Sequence, residues 1–289
     1  MINPDCHIEW PYFTYRSDFA AVLATPLRMQ VSEIFHTGFD ARGAGKLFFF
    51  ATEMLSLHPL AFLVPASLPG LVQSQTSILF ADAELSFVDI NGREQRLKAC
   101  EPIEVKTLSA CAEPDRLRQN LAAVLTSLKL FGRNSIVLDL ILGCNTEKNI
   151  LSGTEAVIFA FPPDISALLR FVGAGEGLTP AFDDFLSGML LADRWVGANQ
   201  IAVPENFAQM AADKTTVQAL QQLLFAVGGR MSLRFETFLH RLLLEEIRTA
   251  DVVKIMNYGH SSGTDILCGI WHYLNSYLKN LSAHNLQKI

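Results

Sequence analysis

The sequence predicts an α+β protein, in which an antiparallel β-rich N-terminal part, a barrel or a sandwich, precedes a largely α-helical C-terminal part. Short apolar runs bounded by Gly, Pro or Asn fill the first third of the chain, and apolar residues recur at helical spacing after Pro114. Half of the 289 residues are hydrophobic and 18% are charged, so the chain is able to bury a large core. We divide it into a β-rich domain, residues 1–111, and a mainly helical domain, residues 112–289.

The β-rich part is predicted from short apolar runs, several of which alternate with polar residues. Residues up to about 25 contain aromatic residues and prolines, and they predict an irregular arm or an edge element. Asn91-Gly92 is typical of a β-hairpin turn between two strands. The predicted strands are residues 28–35, 46–50, 60–64, 77–80, 84–90, 94–98 and 103–107.

The helical part opens with a predicted helix from Pro114 to about Gly132, where apolar residues recur every three or four positions. Residues 135–142 fit either a strand or a helix, and Pro162-Pro163-Asp164 restarts a helix that continues through Leu169. The other predicted helices are residues 180–196, 204–228 with a break, 231–249, 251–257 and 262–280.

The composition excludes several classes of partner and places the protein in a reducing compartment. A formal net charge of -6 at pH 7 provides no basic surface for nucleic acid or an anionic membrane. The most apolar stretch, residues 47–72, is interrupted by charged residues and prolines and predicts no membrane span. The cysteines are odd in number and scattered, which predicts reduced thiols and a cytoplasmic protein. They are Cys6, Cys100, Cys111, Cys144 and Cys268, the last of which is expected to be buried.

A glycine-rich motif at residues 173–188 leads into a predicted helix. Three glycines at alternate positions precede Thr179-Pro180, which we interpret as an N-cap and a first helical residue. The N–H groups of a first helical turn bind anions, but Asp183 and Asp184 follow at once and repel them. The motif therefore suits a ligand with an anionic end and an amide end, an anion with a divalent metal, or ordinary helix capping.

A second motif, residues 259–269, shares the pattern Asp-x-Leu-x-Gly with the first, at Asp184 and at Asp265. If the two helix starts face each other, they form a two-sided anion site, to which His260 adds a proton donor or acceptor. Arg230, after two glycines, is a candidate cation for the same site. The candidate catalytic residues are Asp183, Asp184, His260 and Asp265, and the candidate ligand-binding residues are Gly175, Gly177, Thr179, Arg230, Ser261, Ser262, Gly263 and Thr264.

Together the two motifs resemble a family long described as a domain of unknown function and now linked to the AllH subunit of oxamate carbamoyltransferase. Its members resemble Gly-x-Gly-Pro-Gly-Leu-Thr-Pro-Ser-Gly-Asp-Asp-Phe-Leu-x-Gly, matched by residues 173–188, and Gly-His-Ser-Ser-Gly-Thr-Asp-x-Leu-x-Gly, matched by residues 259–269. The resemblance extends from about Val31 to Trp271 and is firm in the motifs. This sequence departs from the pattern at Ala181-Phe182, which replaces Ser-Gly, and at Glu176, which replaces proline.

The resemblance implies a role in the last carbamoyl step of anaerobic allantoin breakdown. In that step oxalurate and phosphate interconvert with oxamate and carbamoyl phosphate, in a complex with other subunits. The ligands combine phosphate or carboxylate groups with amide N–H donors, so helix N-termini are expected to hold the anions while Asp183, Asp184 or Asp265 accept from the amides.

Three hypotheses on function follow, and they belong to different classes. The first is a carbamoyltransferase subunit acting on a small amide-bearing carboxylate. The second is a non-catalytic subunit that binds a metabolite or phosphate, or that serves assembly. The third is a divalent-metal hydrolase using Asp183, Asp184 and Asp265; apart from that metal, no cofactor is predicted.

Overall fold

The computed structural model describes residues 8–105, 112–144, 151 and 153–286. The chain separates into two compact units, Met1–Lys106 with Ser232–Arg234, and Thr107–Met231 with Phe235–Ile289. The domain boundary predicted between residues 111 and 112 stays a prediction, and Cys6 and Cys111 lie outside the described residues. Among the described helices, none is long and apolar enough to cross a membrane.

Eight strands of the first unit close into a barrel, in the order β1-β5-β4-β3-β2-β6-β7-β8. The pairs β1–β8 and β4–β5 are parallel and the other neighbouring pairs are antiparallel. The α+β class is confirmed, and of the two predicted forms the barrel is the one found. The strands are β1 (Tyr12–Tyr15), β2 (Leu27–Phe35), β3 (Gly38–Gly43), β4 (Lys46–Ala51), β5 (Ala61–Leu63), β6 (Ser77–Ala81), β7 (Glu84–Val88) and β8 (Glu94–Ala99).

Buried phenylalanine side chains pack within this unit around Phe62. The Phe62 ring centroid lies 4.7 Å from that of Phe50, 5.1 Å from Phe19 and 5.8 Å from Phe13. All four side chains are fully buried. Aromatic rings each bury a large apolar area and add favourable edge-to-face or offset contacts, so this cluster is a main source of the barrel's stability.

The structure differs from the strand prediction at three places. The predicted irregular arm contains β1, which pairs with both β5 and β8 and thereby closes the barrel. Strand β3 was not predicted, because its ends are glycines and its centre carries the polar residues Asp40 and Arg42. The strand predicted at residues 103–107 is wrong for its described part, where Ile103 makes only an isolated bridge to Arg16; residues 106 and 107 lie outside the described residues.

The rest of the described chain is helical, as predicted. Residues 135–142, for which strand and helix were both open, form α2, and the short helix α3 was not predicted. The helices are α1 (Pro114–Phe131), α2 (Ile136–Leu142), α3 (Glu155–Ile158), α4 (Ile165–Leu168), α5 (Ala181–Trp195), α6 (Phe207–Ala212), α7 (Val217–Val227), α8 (Leu233–Leu244), α9 (Thr249–Met256) and α10 (Ser262–Leu286).

Helices α5 and α10 cross with their backbones in contact at two glycines. A Cβ atom at Gly188 would lie 2.1 Å from the carbonyl oxygen of Ile266, and one at Gly269 would lie 2.0 Å from that of Phe185. The two contacts are equivalent, since each glycine packs on the residue that follows the aspartate of the other motif. The shared pattern Asp-x-Leu-x-Gly therefore encodes a close and nearly symmetric helix crossing.

We expect Gly269→Ala to lower the free energy of unfolding by about 1–3 kcal/mol or more, because the added methyl group meets a backbone carbonyl that cannot move aside. Gly228→Ala is the matched control: Gly228 ends α7 at φ -81°, and the nearest atom to its added Cβ would be 3.3 Å away. Urea denaturation followed by circular dichroism measures both variants. Equal stability of the two variants would contradict the close crossing.

Candidate functional site

The two motifs, distant in sequence, meet where α5 and α10 begin. The Thr179 Oγ1 and Ser262 Oγ atoms are 2.9 Å apart and share a hydrogen bond. Both residues are half-buried, whereas the aspartates of the shared pattern, Asp184 and Asp265, are fully buried. The two helix starts are therefore neighbours, with hydroxyl groups at the rim and carboxyl groups beneath.

Asp184 is buried with one carboxyl oxygen satisfied and the other not. The Gln222 Nε2 atom donates to Oδ1 at 2.7 Å, while Oδ2 has no hydrogen-bond partner among the described residues. Burial raises the pKa of Asp184 well above its ordinary value, and the nearby Asp265 carboxyl raises it further. The Gln222, Ser262 and Thr179 side chains partly oppose this rise, although neither hydroxyl reaches Oδ2 in hydrogen-bonding geometry.

Asp265 is also buried, with one carboxyl oxygen hydrogen-bonded and the other without a partner among the described residues. The Ser135 hydroxyl donates to its Oδ1 atom and also accepts from the backbone N–H of Leu138, which caps α2. The Oδ2 atom of Asp265 has no hydrogen-bond partner in the described part of the chain. Burial raises the pKa of Asp265 to about 7, and the hydroxyls of Ser135 and Ser261 limit the rise. No cationic side chain is among the causes for either aspartate.

Asp183 has a different role, although it is adjacent to Asp184. The backbone N–H of Gly173 donates to its Oδ1 atom at 2.8 Å, and the Thr215 hydroxyl donates to Oδ2. The two oxygens therefore anchor the glycine loop and the turn before α7. The predicted three-carboxylate metal set is not assembled, and the described residues contain no other group of three or more His, Cys, Asp or Glu side chains that could hold a metal ion.

The backbone N–H groups at the two helix starts are largely in use. Phe182 N donates to Ala174 O at 3.0 Å, and Asp184 N donates to Pro180 O at 3.1 Å. At α10, Gly263 N donates to Tyr258 O at 3.0 Å, and Thr264 N and Asp265 N both donate to Ser261 O. These N–H groups are therefore not free for an anion, because carbonyl groups at or before each helix start accept from them.

The predicted N-cap of α5 is also wrong. Pro180 occupies the N-cap position, with ψ 144°, and its extended backbone delays the helix until Ala181. The Thr179 hydroxyl is thereby free to pair with Ser262 instead of capping the helix.

The remaining predicted residues divide into packing residues and exposed ones. A Cβ atom at Gly175 would lie 2.5 Å from Ala181 N, and one at Gly263 would lie 2.0 Å from Ile255 O, so both glycines allow close backbone packing. Thr264 is buried and accepts from the backbone N–H of Arg133. Gly177 is exposed at the tip of the loop. These residues shape the site without presenting a functional group to it.

His260 and Arg230 do not reach the carboxyl pair. His260 is exposed, and no hydrogen bond among the described residues involves its ring. The Arg230 guanidinium lies 4.0 Å from the carboxylate of Glu236. Cys268 is fully buried in α10, as predicted, and burial raises the pKa of its thiol.

Two site residues were not predicted, Ser135 and Gln222. A serine before an apolar run is a recognisable N-cap, so the sequence around Ser135 indicates the start of α2. Nothing in that sequence indicates the hydrogen bond from Ser135 to Asp265. Gln222 lies in the middle of α7 and carried no signal, because its role depends entirely on how α7 packs against α5.

The departures at Ala181-Phe182 and Glu176 fall outside the hydrogen-bonded groups of the site. Phe182 is fully buried, with its ring centroid 5.3 Å from that of Phe171 and 5.7 Å from that of Phe185. The phenyl ring therefore fills the apolar core under the motif. Glu176 is exposed in the glycine loop.

The fold and the site define an α+β protein with a buried carboxyl pair at the crossing of two glycine-bearing helices. Residues 171–274 match the family model described as oxamate carbamoyltransferase subunit AllH. The match includes both motifs and confirms the resemblance in this part of the chain. The chain is thus similar to a subunit associated with oxamate carbamoyltransferase, which implies other subunits. No solved structure matches the chain.

The raised pKa of Asp265 predicts a pH-dependent stability. Because the folded protein keeps the proton that the unfolded chain loses near its ordinary pKa of 3.8, the stability contributed by this carboxyl is greatest below that pH and is lost as pH rises to about 7. The loss attributable to this carboxyl is on the order of 4 kcal/mol between about pH 4 and pH 8, where the neighbouring Asp184 adds to it.

Urea denaturation across this pH range checks the prediction on Asp265→Asn, which mimics the protonated acid and should flatten the decline. Asp115→Asn, whose side chain is 80% exposed in α1, is the control and should keep the decline of the unmodified protein. An unchanged slope in Asp265→Asn would show that this carboxyl ionises freely in the folded state.

Proposed function

We propose that the chain is a subunit of a carbamoyltransferase resembling oxamate carbamoyltransferase, and that it binds the small amide-bearing ligand where α5 and α10 begin. The observation that carries this proposal is the 2.9 Å contact between Thr179 and Ser262, which joins the two motifs of the matched family in one place. Function is inferred from this site and its chemistry, because the fold alone allows many activities.

The proposed reaction converts oxalurate and phosphate into oxamate and carbamoyl phosphate. A phosphate oxygen attacks the carbamoyl carbon, the bond from that carbon to the oxamate nitrogen breaks, and the proton of the attacking hydrogen phosphate passes to this nitrogen. Such a step is accelerated mainly by holding the two reactants in line and by donors near the developing negative charge.

The side chains at the helix crossing suit the amide part of these ligands. Asp184 and Asp265 are acceptors with one unused oxygen each, and the hydroxyls of Thr179 and Ser262 lie at the half-buried rim. Hydroxyls both donate and accept, so they are able to contact a carboxylate or a carbonyl of the same ligand. Burial of the carboxyls in a site of low polarity strengthens each of these hydrogen bonds.

A non-catalytic binding or assembly subunit is the second candidate, and the position of His260 favours it. This side chain, the predicted proton donor or acceptor, is exposed and has no hydrogen bond to the described residues. The carboxyl pair then binds a metabolite without transferring a proton, and the chemistry belongs to another subunit.

Phosphate release from carbamoyl phosphate in the presence of oxamate tests the first candidate, with the chain assembled with its partner subunits. We expect Asp265→Asn to lower kcat/KM by about 10- to 100-fold, since a charge-assisted hydrogen bond contributes about 1.5–3 kcal/mol. Glu176→Gln is the matched control, because it removes a carboxylate from the same region at an exposed position and should leave the rate unchanged.

The outcomes separate the two candidates. Loss of activity in His260→Ala, with ligand binding retained, would assign proton transfer to that side chain and support catalysis by this subunit. Full activity in Asp265→Asn and Asp184→Asn alike would contradict the proposed site. Ligand binding by the isolated chain, with the same turnover by the other subunits in its absence, would support the binding subunit.

A further inference from the structure

The unpartnered atoms of the carboxyl pair at the helix crossing are two carboxyl oxygens, which accept hydrogen bonds when the acids are ionised. Each of Asp184 and Asp265 is fully buried and has one oxygen, Oδ2, with no hydrogen-bond partner among the described residues. The other oxygen of each carboxyl is held by a donor, Gln222 Nε2 for Asp184 and the Ser135 hydroxyl for Asp265. A buried acceptor without a hydrogen-bond partner destabilises the folded protein by about 1–3 kcal/mol. A ligand that donates a hydrogen bond to each of these two oxygens would remove this cost.

Several of the N–H donors at the two helix starts are in use. The N–H groups of Phe182, Gly263 and Thr264 donate to carbonyls of the preceding turns. The pKa of each carboxyl is set by burial and by polar or acidic neighbours, and a cationic side chain is not among the causes. An anion brought between the two ionised carboxyls would therefore meet repulsion that no cationic side chain among these causes offsets.

We infer that Asp184 and Asp265 bind the NH2 group of a primary amide or carbamoyl ligand, one N–H to each Oδ2 atom, and that they select this group against a carboxylate or phosphate oxygen. The inference rests on the proposed function for the choice of ligand and adds its orientation: the amide end enters first and the anionic end stays at the rim of Thr179 and Ser262. A primary amide offers two N–H donors from one nitrogen, which matches the two unused oxygens.

Selection of an NH2 group over a carboxylate or phosphate oxygen requires acceptors held in fixed positions, and the helix crossing provides this rigidity. Asp184 and Gly188 are four residues apart on α5, as are Asp265 and Gly269 on α10, so in each helix the carboxyl and the glycine share the face that packs on the other helix. The backbone contacts at the glycines hold the two carboxyls at a fixed separation. A site that fixes hydrogen-bond acceptors in this way rejects analogues that lack the donor.

Paired ligands that differ only in this group test the inference on the full chain by isothermal titration calorimetry. Oxamate carries a carboxamide where oxalate carries a second carboxylate, so that an oxygen replaces the NH2 group. Carbamoyl phosphate carries an NH2 group where acetyl phosphate carries a methyl group. We expect each NH2 ligand to bind about tenfold or more tightly than its partner. Asp184→Asn and Asp265→Asn should bring both ratios close to one, while Glu176→Gln preserves them.

Equal or tighter binding of oxalate and acetyl phosphate would overturn the inference and leave the proposed function, since a ligand of the right class would still bind. A second result would also overturn the inference and leave the proposed function standing. In it, the assembled enzyme turns over although oxamate, carbamoyl phosphate and urea do not bind to this chain. Selective binding of the NH2 ligands without turnover in any assembly would support the inference and contradict the carbamoyltransferase proposal. Circular dichroism of both Asn variants establishes that they are folded.

Discussion

The close crossing of α5 and α10 is the constraint on which the rest of the helical unit depends. Gly188 and Gly269 let each backbone rest on the carbonyl of the other helix, at a separation that any side chain would prevent. Because the aspartates stand one helical turn before these glycines, the crossing forces Asp184 and Asp265 into the same buried region. The carboxyl pair is thus a consequence of helix packing, and the proposed binding site depends on it.

Helix α5 carries three buried aspartates, which differ in whether both carboxyl oxygens are hydrogen-bonded. Asp183 uses both oxygens to hold Gly173 and Thr215. Asp193 accepts from the Tyr273 hydroxyl and the backbone N–H of Gln200 and pairs with the neighbouring Arg194. Asp184 alone among these three keeps an oxygen without a partner in the described chain. A buried acid that is fully hydrogen-bonded stabilises its surroundings, whereas one left partly unsatisfied indicates a place for a ligand.

This contrast also changes the role expected for the helix starts. Two helix N-termini suggest an anion site, but the turns before α5 and α10 already occupy several of their N–H groups. The side chains at the site contribute two unpartnered carboxyl oxygens and two hydroxyls, and on these we base the proposal that the amide end of an oxamate-like ligand binds there. The similarity of residues 171–274 to an oxamate carbamoyltransferase subunit agrees with a ligand that has both ends.

The sequence by itself determined the α+β class, most of the strands and helices, and the two motifs, because apolar periodicity, proline and glycine act locally. It also indicated Asp184 and Asp265 through their repeated pattern. Only the tertiary structure decided that β1 closes the barrel, that both oxygens of Asp183 are hydrogen-bonded, that His260 is exposed, and that Ser135 and Gln222 donate to the carboxyl pair. These outcomes depend on which polar groups find hydrogen-bond partners when distant segments pack together. Such long-range pairing produces no periodic pattern in the sequence, so it cannot be predicted from the sequence.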